Sequence, residues 1–79
     1  MYNGSLFRYY RDLIRTMNRP GDEDAAYAFL DKQILELAEA IRHYNNPESA
    51  VFRALTISLR EHEEFYEALR GYVWENIYH

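Results

Sequence analysis

Cysteine is absent from this 79-residue chain, which excludes a disulfide framework, a thiolate metal site and a cysteine nucleophile. Only three glycines and two prolines are present, and none of them forms a Gly-rich phosphate loop. No apolar run approaches the length that crosses a bilayer, and the N-terminus lacks the basic start and apolar core of a signal peptide. We therefore expect a single cytoplasmic domain over residues 1–79, with no membrane contact and no cofactor.

Aromatic side chains are what the chain has in excess: eight tyrosines, four phenylalanines and one tryptophan. Tyrosine suits positions that are apolar on one side and hydrated on the other, so it is enriched at interfaces. The core of so short a chain contributes only a few kcal/mol. Stability must therefore come from dense apolar packing, from a partner subunit, or from both.

The net charge of −4 is distributed unevenly. Residues 1–19 hold four arginines against the single Asp12, whereas residues 20–79 hold five basic and twelve acidic side chains. The basic N-terminal segment and the acidic remainder attract each other, within one chain or between two chains. Four arginines are too few to indicate phosphate binding in an acidic chain, so direct nucleic-acid binding is not expected. They are Arg8, Arg11, Arg15 and Arg19, and we expect them to pair with acidic side chains later in the chain.

Apolar residues recur at steps of three and four along three segments, which predicts helices over about 5–17, 23–44 and 47–70. Pro47 is expected to open the third helix, since proline has no N–H to leave unpaired at a first helical position. Gly71 either ends that helix, leaving a short one at 72–78, or is included in it. The fold class is therefore all-α: a small bundle built on a long antiparallel helix hairpin with an N-terminal helix.

Several apolar residues of the hairpin fall outside its main stripes. They predict a second buried face, which is most simply a homodimer interface with a four-helix core. These residues are Phe29, Leu35, Val51, Ile57 and Phe65.

Two pairs of carboxylates share an E-x-x-E spacing, Glu36 with Glu39 and Glu61 with Glu64. Carboxylates on facing helices can hold Mg²⁺, which prefers oxygen ligands. The stretch "ILELAEAI" (34–41) resembles the first metal-binding helix of MazG-type all-α nucleoside triphosphate pyrophosphatases, although Gln33 stands at a glutamate position and Glu64 at an aspartate position. The resemblance implies a minimal or decayed Mg²⁺-dependent nucleoside triphosphate pyrophosphatase. The alternative is that these glutamates form the hydrated flank of a packed helix, because charge is common beside a heptad stripe.

The C-terminal third combines acidic and aromatic side chains, a composition typical of protein interfaces. Our main prediction is a protein-binding module, an adaptor or inhibitor, whose partner is a protein. Its acidic surface could also mimic nucleic acid, as in small phage proteins that block DNA-binding enzymes. The predicted carboxylates are Glu61, Glu63, Glu64 and Glu67. The predicted aromatic residues are Tyr66, Tyr72, Trp74 and Tyr78. No catalytic residue is predicted, and the metal site belongs only to the pyrophosphatase alternative.

Overall fold

The computed structural model describes residues 5–78, which form three helices and no strand. The helices are α1 (Ser5–Arg15), α2 (Glu23–Tyr44) and α3 (Ala50–Asn76). Helices α2 and α3 form the long hairpin, and α1 packs on α3. The predicted all-α hairpin bundle is thus confirmed. Across this part of the chain, no helix is both long enough and apolar enough to span a bilayer.

The connection between α1 and α2 is closed by one carboxylate and one glycine. Asp22 Oδ2 accepts hydrogen bonds from the backbone N–H groups of Asn18 and Arg19, each at 3.1 Å. Gly21 has a φ of 100°, in the left-handed region that a residue with a Cβ rarely adopts. The loop therefore depends on glycine at this position to turn the chain into α2.

The tight turn between α2 and α3 differs from the prediction. Helix α3 begins at Ala50, three residues after Pro47, and its N-cap is Ser49. The Ser49 hydroxyl accepts hydrogen bonds from the N–H groups of Val51 (3.2 Å) and Phe52 (3.5 Å). A serine side chain that satisfies two free helix donors outcompetes the start that proline alone favours.

The sequence left open whether the third helix ends at Gly71 or continues through it, and the structure shows that it continues. The helix runs through Gly71 as far as Asn76, so residues 72–78 do not form a separate helix. A Cβ placed on Gly71 would meet nothing within 4 Å. Close packing therefore does not require glycine here. The residue lowers the stability of the helix through its conformational entropy, but it does not interrupt the helix.

The hydrophobic core lies where the three helices meet. Tyr10 stacks on Phe65 with ring centroids 5.2 Å apart, and Phe7 contacts Phe65 edge-on at 6.2 Å. Phe65 is 1% exposed, so α1 already covers it and it does not belong to a dimer interface. The buried core residues are Tyr10, Ile14, Met17, Ala26, Leu30, Phe65, Leu69 and Val73.

This core occupies only one end of the hairpin. No residue from 31 to 64 is buried, although that span includes most of α2 and half of α3. The structure measures 44 × 21 × 18 Å. Its radius of gyration is 14.1 Å, against about 12 Å expected for a compact chain of this length. We call residues 33–60, which lie at the end of the hairpin away from the buried core, the distal hairpin.

Candidate protein-binding groove

A cleft of about 630 Å³ lies between the N-terminal end of α2 and the C-terminal end of α3. Aromatic residues line it, namely Tyr27, Trp74 and Tyr78. Its charged residues are Glu23, Glu67 and Arg70. An open cleft with aromatic walls and a few charged groups is suited to a side chain or short segment of a partner.

A second, smaller cleft of about 330 Å³ shares Glu67 with the first. It is lined by Asp31 and Ile34 from α2 and by Glu63, Tyr66 and Glu67 from α3. Together the two clefts form one continuous surface between α2 and α3, which we call the acidic groove. It carries four carboxylates, on Glu23, Asp31, Glu63 and Glu67, against the single guanidinium of Arg70.

The acidic groove lies on the side of the hairpin that α1 leaves open. Helix α1 contacts α3 through Phe65 and Tyr72, which Phe7 meets edge-on. The groove is bounded instead by Tyr27 and Tyr66, whose rings approach to 5.2 Å. Neither cleft is lined by any α1 residue that the structure describes. The groove is therefore accessible to a partner without displacement of α1.

The predicted aromatic residues divide into two groups. Trp74 is 67% exposed and Tyr78 is 48% exposed, so both are available at the surface. Tyr66 and Tyr72 are half-buried and pack against the core. Tryptophan left this exposed on a folded domain is a common mark of a binding surface. Only Trp74 and Tyr78 are therefore retained as candidate anchors.

The predicted carboxylates divide in the same way. Glu63 and Glu67 are one helical turn apart and share the face of Trp74, and both line the acidic groove. Glu61 and Glu64 line neither cleft. Because two residues of separation turns a helix through about 200°, Glu61 and Glu63 point to opposite sides. The predicted cluster is thus not one surface.

Two groove carboxylates come from α2 and were missed by the sequence analysis, Glu23 and Asp31. Their spacing from Tyr27, four residues on each side, is the signal that could have found them. Glu23 is buried, and its carboxylate accepts hydrogen bonds from the Tyr78 hydroxyl and from the Gly21 N–H, the latter at 2.8 Å. This contact ties the end of α3 to the start of α2.

The Glu23–Tyr78 contact perturbs both groups. The hydrogen bond from Tyr78, followed by backbone N–H donors, lowers the pKa of Glu23. The same hydrogen bond, with burial and the charge of Glu23, raises the pKa of Tyr78. The carboxylate and the neutral phenol are therefore the forms that the folded chain stabilises.

The expected ion pairs between the arginines of positions 8–19 and Glu61, Glu63 or Glu67 are absent from residues 5–78. Arg11 approaches Asp12 at 4.0 Å, and Glu67 instead pairs with Arg70 at 3.2 Å. Within residues 5–78, no ion pair joins Arg8, Arg11, Arg15 or Arg19 to Glu61, Glu63 or Glu67. Because α1 packs on the side of α3 opposite the groove, its arginines lie away from Glu63 and Glu67.

The carboxylates of the pyrophosphatase alternative do not converge. Glu39 pairs with Arg42 on the outside of α2, and Glu36 is exposed. Between residues 5 and 78 there is no group of three or more carboxylate or imidazole side chains that could hold a metal ion. The set Glu36, Glu39, Glu61 and Glu64 therefore does not form the site that the sequence resemblance implies.

Comparison with protein-family models, with curated proteins and with solved structures finds no match to this chain.

Proposed function

We propose that the protein is a small acidic protein-binding module, an adaptor or inhibitor, that takes a basic segment of its partner into the acidic groove. The observation that carries this proposal is Trp74, a largely exposed indole beside a cleft that Glu23, Glu67 and Arg70 also line. Tryptophan and tyrosine at such positions contribute most of the binding energy in many interfaces.

The charge of the groove defines the chemistry of the partner. Four carboxylates against one guanidinium attract lysine or arginine side chains and repel acidic segments. A cation entering the larger cleft would meet the aromatic faces of Trp74, Tyr78 and Tyr27, which attract it further. The two clefts follow one side of the hairpin, so they suit an extended or helical segment with two anchors.

Nucleic-acid mimicry is less well supported than recognition of a basic segment. A mimic needs a row of negative charges on one face, whereas Glu61 and Glu64 lie outside the groove. In the proposed inhibitor role, the acidic groove therefore binds the basic segment of a partner through aromatic and ionic contacts. A homodimer also forms part of the proposal, and its surface is separate from the acidic groove.

Site-specific photo-crosslinking tests this function in the cells that produce the protein. A photoreactive phenylalanine analogue is placed at position 74, and in a matched control at position 35. Leu35 is 69% exposed and lies outside both clefts, so it reports unspecific capture.

The expected result is a protein crosslinked from position 74 and not from position 35, with the crosslink on a segment rich in lysine or arginine. Raised salt should weaken this capture, since exposed ionic contacts are screened. Equal capture from the two positions, or crosslinks to acidic segments, would overturn the proposal.

A further inference from the structure

We infer that the distal hairpin is a self-association surface, and that a second copy of this chain packs against the part of the α1-side groove that α1 leaves empty. This surface lies on the opposite side of the hairpin from the acidic groove. It therefore extends the homodimer component of the proposed function and does not depend on peptide binding by the groove.

The residues of this surface follow from the positions where α1 binds. Helix α1 contacts α2 at Phe29 through Tyr10, with ring centroids 5.5 Å apart, and contacts α3 at Phe65. Residues three and four apart share one face of a helix. The face of Phe29 therefore continues along α2 through Gln33 and Glu36 to Ala40 and Tyr44.

On α3 the same rule extends the face of Phe65 toward the turn, through Glu61 and Ser58 to Ala54 and Val51. Tyr44 and Val51 are exposed, and Leu37 and Leu55, which lie beside this face in the contact between α2 and α3, are only half-buried. The side chains of Ala40 and Ala54 are small, so another helix could approach the hairpin closely here. The distal hairpin therefore continues the face on which α1 packs, in a part of the hairpin that α1 does not cover.

The accessible area of the chain matches what such a dimer needs. The structure exposes 5889 Å², whereas a compact monomer of 9.5 kDa exposes about 5,000 Å². The excess of roughly 800 Å² equals the area that each partner contributes to an interface of standard size, also about 800 Å². Packing two distal hairpins together would therefore leave each chain with about the accessible area of a compact monomer of its own mass.

The charge of the distal hairpin identifies a second copy as the occupant. Residues 33–60 hold three acidic side chains, Glu36, Glu39 and Glu48, and three arginines at 42, 53 and 60, so their net charge is zero. Two copies can therefore meet here without net repulsion, whereas the acidic groove would repel its own copy. Antiparallel packing of two hairpins would give the four-helix arrangement common in helical bundles.

Sedimentation equilibrium on the full chain at micromolar concentration tests the inference. The wild type should have twice the mass of the chain. Val51→Glu should raise the dimer dissociation constant by about a hundredfold, because it buries an unpaired charge at the interface. Leu35→Glu is the control: Leu35 was among the residues that predicted a dimer, but it lies about 140° around α2 from Ala40. The same charge at this exposed position should leave the dimer intact.

Circular dichroism establishes that each variant folds. If Val51→Glu unfolds the chain, Tyr44→Glu replaces it as the test, since Tyr44 is exposed across the same groove. A wild type with the mass of one chain throughout the range would overturn the inference. It would also fail if Val51→Glu and Tyr44→Glu both folded and remained dimers. Either failure would leave photo-crosslinking at position 74 unaffected, so the two proposals fail separately.

Discussion

Phe65 is the residue whose truncation should damage the fold most, because all three helices depend on it. It is 1% exposed and contacts Tyr10 and Phe7 of α1. Truncating a buried phenylalanine to alanine costs about 3–5 kcal/mol. Each lost aromatic contact is worth about 0.5–1.5 kcal/mol beyond its buried area, so Phe65→Ala should fall at the upper end of that range.

That loss is large compared with the stability available. A domain of 79 residues has a free energy of unfolding of about 4–12 kcal/mol. A loss of about 5 kcal/mol therefore removes between about two fifths and all of that stability. Urea denaturation followed by circular dichroism measures the change, with protein concentration held fixed because self-association adds to stability.

Leu35→Ala is the matched control, since Leu35 is exposed. It should change the free energy of unfolding by no more than about 0.5 kcal/mol. A loss below about 1.5 kcal/mol for Phe65→Ala, well under the range for buried phenylalanines, would refute the placement of the core at the junction of the three helices.

Three further predictions follow from single positions. Gly71→Ala should stabilise the helical fold by about 1 kcal/mol, because a Cβ there meets nothing within 4 Å; a lower melting temperature would contradict this. Tyr78→Phe should reduce the stability that depends on charged Glu23, because the Gly21 N–H remains as a donor to this carboxylate. In the wild type that contribution is present above the ordinary carboxyl pKa and lost as pH falls through the lowered pKa of Glu23, so stability of the variant should vary less with pH in this acidic window. Addition of Mg²⁺ should give a flat calorimetric titration that Glu36→Gln does not alter, whereas binding removed by this substitution would revive the pyrophosphatase alternative.

The helices could be predicted from the sequence because their apolar residues repeat with the period of a packed face. That period identified the hairpin formed by α2 and α3 to within a few residues at most ends. It misplaced the start of α3, where the side chain of Ser49 forms the cap. It also does not separate neighbouring aromatic residues of α1: Tyr9 is exposed, whereas Tyr10 is buried and Phe7 packs on Phe65. A periodic pattern gives the inward face of a helix only to within one neighbouring residue.

The candidate site was harder to predict because its residues come from two helices. Trp74 and Tyr78 were predicted, together with Tyr66 and Tyr72, from the combination of acidic and aromatic residues in the C-terminal third. The carboxylates of Glu23 and Asp31 line the acidic groove because of how α2 is aligned along α3. This alignment places Tyr27 beside Tyr66. That alignment depends on side-chain packing across the hairpin, and a local sequence pattern does not contain it.

The partner captured through position 74 permits the most direct test of the central claim, that the acidic groove binds protein through Trp74. Its affinity is measured by titration calorimetry for the wild type, Trp74→Ala and the control Leu35→Ala. Trp74→Ala should lose at least ~2 kcal/mol of binding free energy, with the helical circular dichroism unchanged, and Leu35→Ala should bind like the wild type. Wild-type affinity in a folded Trp74→Ala variant would contradict the claim, as would a loss of helix that identifies Trp74 as part of the core.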